Sequence, residues 1–211
     1  MGAKEHWEAV YRTKSTTEVS WFQREARVSI ELITGSAPDL DSVILDAGGG
    51  ASTLVDGLVS RGYRNITVLD LAQAALNAAR ARLGTAATHV RWVAADVLEY
   101  PFPRHSVDVW HDRAVFHFLT SPDERRKYVA QVANAVRPHG RVIVATFASD
   151  GPRRCSGLDV CRYSPEELHR EFGLAFELLA HVREEHVTPS GARQQFQYCI
   201  CAFRPAQSAA A

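Results

Sequence analysis

The segment Val43-Ile44-Leu45-Asp46-Ala47-Gly48-Gly49-Gly50-Ala51-Ser52-Thr53 constrains this chain more than any other. A short continuous apolar run is the pattern of a strand covered on both faces, as in a parallel sheet flanked by helices. Three consecutive glycines directly after it let the backbone turn sharply, approach a ligand closely and open onto a helix N-terminus.

The flanking sequence repeats this strand-to-helix pattern. Ala26, Ser29, Ile30 and Ile33 follow helical spacing and predict a helix ending near Gly35. After the glycines come a helix from about Ser52 to Arg61, the strand Ile66–Leu69 ending at Asp70, and a helix marked by Leu76, Ala79 and Leu83. Val90–Val93, Val107–Trp110 and Arg141–Ala145 read as third, fourth and fifth strands. Ser121-Pro122-Asp123-Glu124 and Ser164-Pro165-Glu166-Glu167 each place a capping serine, a first-turn proline and a glutamate three residues on, the signature of a capping box. The first starts a helix through Val136 and the second a shorter one ending near Phe172. Phe176–Val187 and Gln194–Phe203 flank Pro189-Ser190-Gly191 as an antiparallel hairpin. The expected fold is α/β, a Rossmann-like doubly wound sheet that is mostly parallel with an antiparallel C-terminal hairpin.

With 211 residues the chain is expected to form one domain over 1–205, with an N-terminal segment 1–40, a core 40–203 and a disordered tail 206–211. Lys plus Arg (24) equals Asp plus Glu (24), so no global field draws it to nucleic acid or an anionic membrane. No apolar run is long enough to span a bilayer and the first residues lack the apolar segment of a secretory signal, which points to the cytoplasm. Cys155, Cys161, Cys199 and Cys201 form no C-x-x-C spacing, so neither a zinc site nor a redox pair is expected. Cys199 and Cys201 are read as buried small hydrophobes on one strand face.

The glycine loop discriminates between ligands. A Walker loop requires a Lys-Ser/Thr pair after the glycines, and there is none. A dinucleotide fingerprint requires a third glycine where Thr53 stands, and Asp46 at the loop mouth would repel a pyrophosphate. The same carboxylate suits a ligand with a cationic end and no phosphate, such as S-adenosylmethionine (SAM). Asp70, at the end of the second strand, can accept both ribose hydroxyls, a role that fits NAD and SAM equally. Ala95-Asp96-Val97 after the third strand offers an acid and an apolar residue to an adenine. Asp46 and Asp70 can also serve as helix caps.

This ordered set, over about residues 40–147, resembles the class I SAM-dependent methyltransferases. The resemblance rests on Asp46-Ala47-Gly48-Gly49-Gly50, Asp70, Ala95-Asp96-Val97 and the fourth-strand end Trp110-His111-Asp112. It implies a seven-stranded sheet and SAM as cofactor, with Gly48 and Gly50 around the methionine part, Asp70 at the ribose and Asp96 at adenine. Asp46, Leu71, Val97 and His111 complete the expected cofactor set.

Methyl transfer mainly requires that the nucleophile be held close and aligned, so side chains beyond the cofactor carry the information about the acceptor. Trp110-His111-Asp112-Arg113-Ala114-Val115-Phe116-His117-Phe118 directly follows the expected fourth strand and supplies His111, Asp112 and Arg113 as candidate catalytic groups. Trp21, His117 and Arg154 are candidate acceptor contacts, the last on the long polar loop after the fifth strand. Trp7, Tyr11, Trp21 and Phe22 can form a lid or dock on the core. Their spacing, with Asp112-Arg113, resembles the thiopurine-methyltransferase-like branch, and a similar N-terminal pattern occurs in small protein lysine methyltransferases. The expected reaction is methylation of sulfur or nitrogen on a small molecule, with protein lysine methylation, SAM binding without turnover and an NAD-dependent oxidoreductase as alternatives. Oligomeric state is not readable.

Overall fold

A computed structural model describes residues 2–205. The tail 206–211 lies outside the described residues. Helix α1 (Ala3–Thr13) and helix α2 (Arg27–Ser36) precede β1 (Ile44–Ala47), α3 (Leu54–Ser60), β2 (Ile66–Asp70), α4 (Gln73–Leu83) and β3 (Val90–Ala94). Then follow β4 (Val107–Arg113), α5 (Pro122–Ala135), β5 (Val136–Ala148), the two-residue strands β6 (Arg154–Cys155), β7 (Leu158–Asp159) and β8 (Arg162–Tyr163), α6 (Pro165–Phe172), β9 (Phe176–Val187) and β10 (Arg193–Phe203).

The main sheet has the order β3-β2-β1-β4-β5-β10-β9, parallel except for β10, which runs antiparallel to both of its neighbours. The Rossmann-like α/β expectation holds, but the sheet has eight strands rather than seven. The eighth, β8, pairs in parallel with Phe147 and Ala148 at the end of β5. Two residues inside a polar loop carry no strand periodicity, so nothing in the sequence marks them. Both serine-led helix starts form the expected capping boxes.

Strand β4 is longer than its sequence suggests. Asp46 pairs with His111 and Ala47 with Asp112 on one side, while Arg113 pairs with Ala145 on the other. The polar triplet His111-Asp112-Arg113 therefore belongs to the strand and does not follow it. Successive side chains alternate between faces. Val109 and His111 face the layer of α2 and α3, packed by Ile33, Ile44 and Leu58, whereas Trp110 and Asp112 face the layer of α5 and α6 with Tyr128 and Leu168. Cys199 and Cys201 are buried in this second layer, and all four cysteines are free thiols. No helix among the described residues is long and apolar enough to cross a membrane.

Candidate active site

The glycine loop leaves β1 at the C-terminal end of the sheet. Gly48 and Gly50 have φ values of 69° and 49°, in the left-handed region that glycine tolerates best. Gly49 is fixed by contact: a Cβ there would lie 2.2 Å from Asp46 Oδ2 and 2.8 Å from Val68 Cγ1. All three glycines thus have a local cause, and the loop backbone lies directly against the acid that precedes it.

Asp46 is 3% exposed. Its Oδ1 lies 2.8 Å from His111 Nδ1, and His111 Nε2 lies 2.9 Å from Ser29 Oγ on α2. Its other carboxylate oxygen, Oδ2, is buried without a hydrogen-bond partner. Asp70 ends β2 and accepts a 2.7 Å hydrogen bond from the Ala72 amide at the start of α4, so one of its oxygens does act as a cap. Burial pushes the Asp70 carboxyl up to about 7; the charges of Asp46 and Glu8 add to this and the Ala72 amide opposes it. One amide donor is few for a carboxylate this dry, and a vicinal diol would supply more. Asp96 uses Oδ1 to accept from the Leu98 amide at 2.9 Å.

A cavity of about 450 Å³ runs past these groups. It is lined by the acids Asp70, Asp96, Glu124 and Asp159, by Gly48, Leu71 and Val97, and by Trp7, Trp21, Arg113, Phe118, Cys155 and Phe196. A smaller one of about 50 Å³, lined by Asp46, Gly48 and His111, shares Tyr11, Trp21 and Arg113 with it. Trp7 and Tyr11 come from α1, where Trp7 meets Trp21 and Phe118 edge-on with ring centroids 5.7 and 5.0 Å apart. Glu8 of the same helix accepts the Gln73 amide at 2.7 Å, tying α1 to the start of α4. These residues fit SAM: a buried acid with an unpartnered oxygen for a cationic end, a dry acid for the ribose and an acid beside apolar Val97 for a base.

The structure brings most of the expected residues together, but not Asp112, His117 or Arg154. Asp112 points to the opposite face from His111, is fully buried, and accepts the amides of Val115 and Phe116 and the Tyr128 hydroxyl. Burial nevertheless raises its carboxyl to about 6, against those three bonds and the nearby His111. It anchors the turn after β4, whose Ala114 has a φ of 73°. His117 is also fully buried, beside Phe118 and Phe147, and burial together with Arg113 lowers its imidazole to about 3. Arg154 is exposed and paired with Asp159. Sequence reasoning passed over Glu184, Tyr198 and the role of Ser29. Only Ser29 left a trace, as the one hydroxyl in the otherwise apolar helical stripe of α2.

A family model described as a methyltransferase domain matches residues 44–140, from β1 into β5. The human EEF1A lysine methyltransferase 2 is 25% identical over 203 residues, covering 90% of this chain and 78% of the relative. The Mus musculus protein of that name is 24% identical over 204 residues, covering 90% and 76%. Among solved structures, one described by the conversion of a disulfide bond into a thioacetal group during echinomycin biosynthesis superposes with a TM-score of 0.79 at 18% identity, covering 98% of this chain and 95% of that one. The Burkholderia thailandensis 1,6-didemethyltoxoflavin-N1-methyltransferase, solved with 1,6-didemethyltoxoflavin and S-adenosylhomocysteine, gives 0.72 at 22% identity, covering 95% and 87%.

Proposed function

This chain is a class I SAM-dependent methyltransferase, and we propose that it methylates a sulfur or nitrogen atom of a small molecule. The observation that carries the proposal is one cavity lined by Asp70 and Asp96 together with the rings of Trp7, Tyr11, Trp21, Phe118 and Phe196, of which Trp7 and Tyr11 come from α1. A mostly apolar recess with a few convergent polar groups is the usual form of a small-molecule site.

Bound SAM supplies a methyl group already activated by a sulfonium. The residues proposed to hold it are Asp46, Gly48, Gly50, Asp70, Leu71, Asp96, Val97 and His111. His111 keeps Asp46 oriented, and Asp112 holds the turn that presents Ala114 and Val115 to the cavity. Trp7, Trp21 and Phe118 exclude water and restrict the acceptor to an aligned approach, and that alignment is the main catalytic contribution such a site makes. Arg113 orients the acceptor from the cavity wall.

A second reading, protein lysine methylation, is favoured by the curated relatives named as EEF1A lysine methyltransferase 2, which resemble this chain over most of its length. Arg113 in the acceptor wall supports the small-molecule reading instead, because a guanidinium disfavours a second cation beside it. Incubation with labelled SAM and two pools, a small-metabolite extract and a denatured-protein lysate, separates the two. Label is expected in the small-molecule fraction; label found only on protein overturns the proposal.

A further inference from the structure

We propose that the outer edge of the Arg113 guanidinium recognises an oxyanion of the acceptor, a carboxylate carried beside a flat apolar body. The inference rests on the small-molecule reading above and names the class of molecule. Arg113 is the sole lysine or arginine among the described residues walling the larger cavity, and its side chain is only 9% exposed. A cation placed so deep needs a reason.

Its inner edge is fully committed. Nε donates to the Tyr198 hydroxyl at 3.0 Å and to Glu184 Oε2 at 3.4 Å, and Nη2 donates to the same Oε2 at 3.3 Å. Glu184 is itself held from the other side by Gln23 Nε2, 2.7 Å from Oε1, and the guanidinium lies 4.0 Å over the Phe196 ring. A guanidinium carries five N–H donors. Besides these bonds it makes one long contact, from Nη1 to the Trp21 carbonyl at 3.5 Å. One N–H on each terminal nitrogen carries no bond, and the outer edge that these two nitrogens share is the one proposed to hold the carboxylate. Guanidinium forks match carboxylates in a bidentate manner, and one guanidinium can bridge two of them, edge by edge. The surfaces next to the fork are Trp21 and Phe196, so the rest of the acceptor meets aromatic faces.

The test uses the full chain loaded with S-adenosylhomocysteine and three probes of matched size: benzoate, benzyl alcohol and benzylamine. Calorimetry is expected to show benzoate binding at least about tenfold more tightly than benzyl alcohol, with benzylamine weakest. The double variant Arg113→Gln/Glu184→Gln removes both charges at similar volume, so no buried ion is stranded; benzoate should then fall to within about twofold of benzyl alcohol. Arg113→Lys keeps the charge without the fork, covers the case in which the double variant does not fold, and should lose at least about fivefold in benzoate affinity. Benzylamine binding as well as benzoate, or a benzoate preference that survives substitution of Arg113, overturns the proposal. Because S-adenosylhomocysteine must by itself raise Tm, its failure to do so strikes the methyltransferase reading underneath and is distinguishable from failure of the oxyanion site.

Discussion

Asp46 and His111 stand side by side in register on adjacent parallel strands, and their side chains meet at 2.8 Å inside the sheet's covered face. The pair fixes the mouth of the glycine loop to β4 and, through Ser29, to α2. His111→Ala would leave Asp46 nearly fully buried with neither oxygen partnered. Stripping one partner from a buried pair costs about 3–5 kcal/mol. Ser29→Ala removes one neutral hydroxyl, with its 2.9 Å contact to His111 and its longer one to the Tyr198 hydroxyl at 3.4 Å, and should cost about 1 kcal/mol. Urea unfolding of the two variants checks the order. Equal losses would mean that His111 acts as filler and not as the partner that makes Asp46 tolerable.

Asp70 is expected to couple cofactor binding to pH. Its carboxyl, normally near 4, sits at about 7 in the protein without ligand, so between those values the native state binds the proton that the unfolded state has released. The resulting stability is present below about pH 4 and is lost as pH rises through about 7. Ribose hydroxyls donate to the ionised form, so affinity for S-adenosylhomocysteine should increase as pH rises through about 7. Asp70→Ala should weaken binding by about 1–3 kcal/mol and flatten that pH dependence. Calorimetry from about pH 5.5 to 8.5 is the measurement, and unchanged affinity in the variant removes Asp70 from the ribose site.

How much of this was readable beforehand depends on the range of the interaction. Gly48 to Gly50, Asp70 and Asp96 announced themselves because each sits where an apolar run stops, and the end of a run is a local signal. The capping boxes at Ser121 and Ser164 were equally local. The extension of β4 through Arg113 was not, because its polar residues are tolerated only through partners far away in sequence: Asp46 for His111, Tyr128 for Asp112 and Glu184 for Arg113. For the same reason adjacency in sequence groups Asp112 with His111, although strand alternation turns the two to opposite faces. Glu184 and Tyr198 lie on the closing hairpin, where the strand pattern is visible but the side chain each one meets is not.

Tyr128 separates an anchoring role for Asp112 from a catalytic one. Its hydroxyl accepts from Trp110 Nε1 at 2.9 Å and donates to Asp112, which also receives two amides from the turn. Tyr128→Phe leaves that carboxylate one donor short in a dry environment and should cost about 1–3 kcal/mol in urea unfolding. Affinity for S-adenosylhomocysteine should stay within about twofold, since Tyr128 lies in the layer of α5 and α6 and lines neither cavity. A large loss of cofactor affinity with unchanged stability would contradict the anchoring role.

His117 should be a source of acid lability. Burial, with Arg113 nearby, lowers its imidazole to about 3 from an ordinary value near 6.5, so over that interval the unfolded chain binds a proton that the native state refuses. For a base whose folded pKa is depressed, stability is intact above about 6.5 and is lost as pH falls toward about 3. Asp70 and Asp112 act in the opposite sense, because their raised carboxyls favour the native state in acid. The wild-type profile alone therefore mixes the three. His117→Phe removes the titrating ring while keeping an aromatic body against Phe118 and Phe147. Relative to wild type, its unfolding free energy should improve steadily as pH is lowered from about 6.5 to about 4, whatever the offset at neutral pH from losing the ring nitrogens. A difference between the two proteins that stays constant with pH would show that His117 accepts its proton in the native state after all.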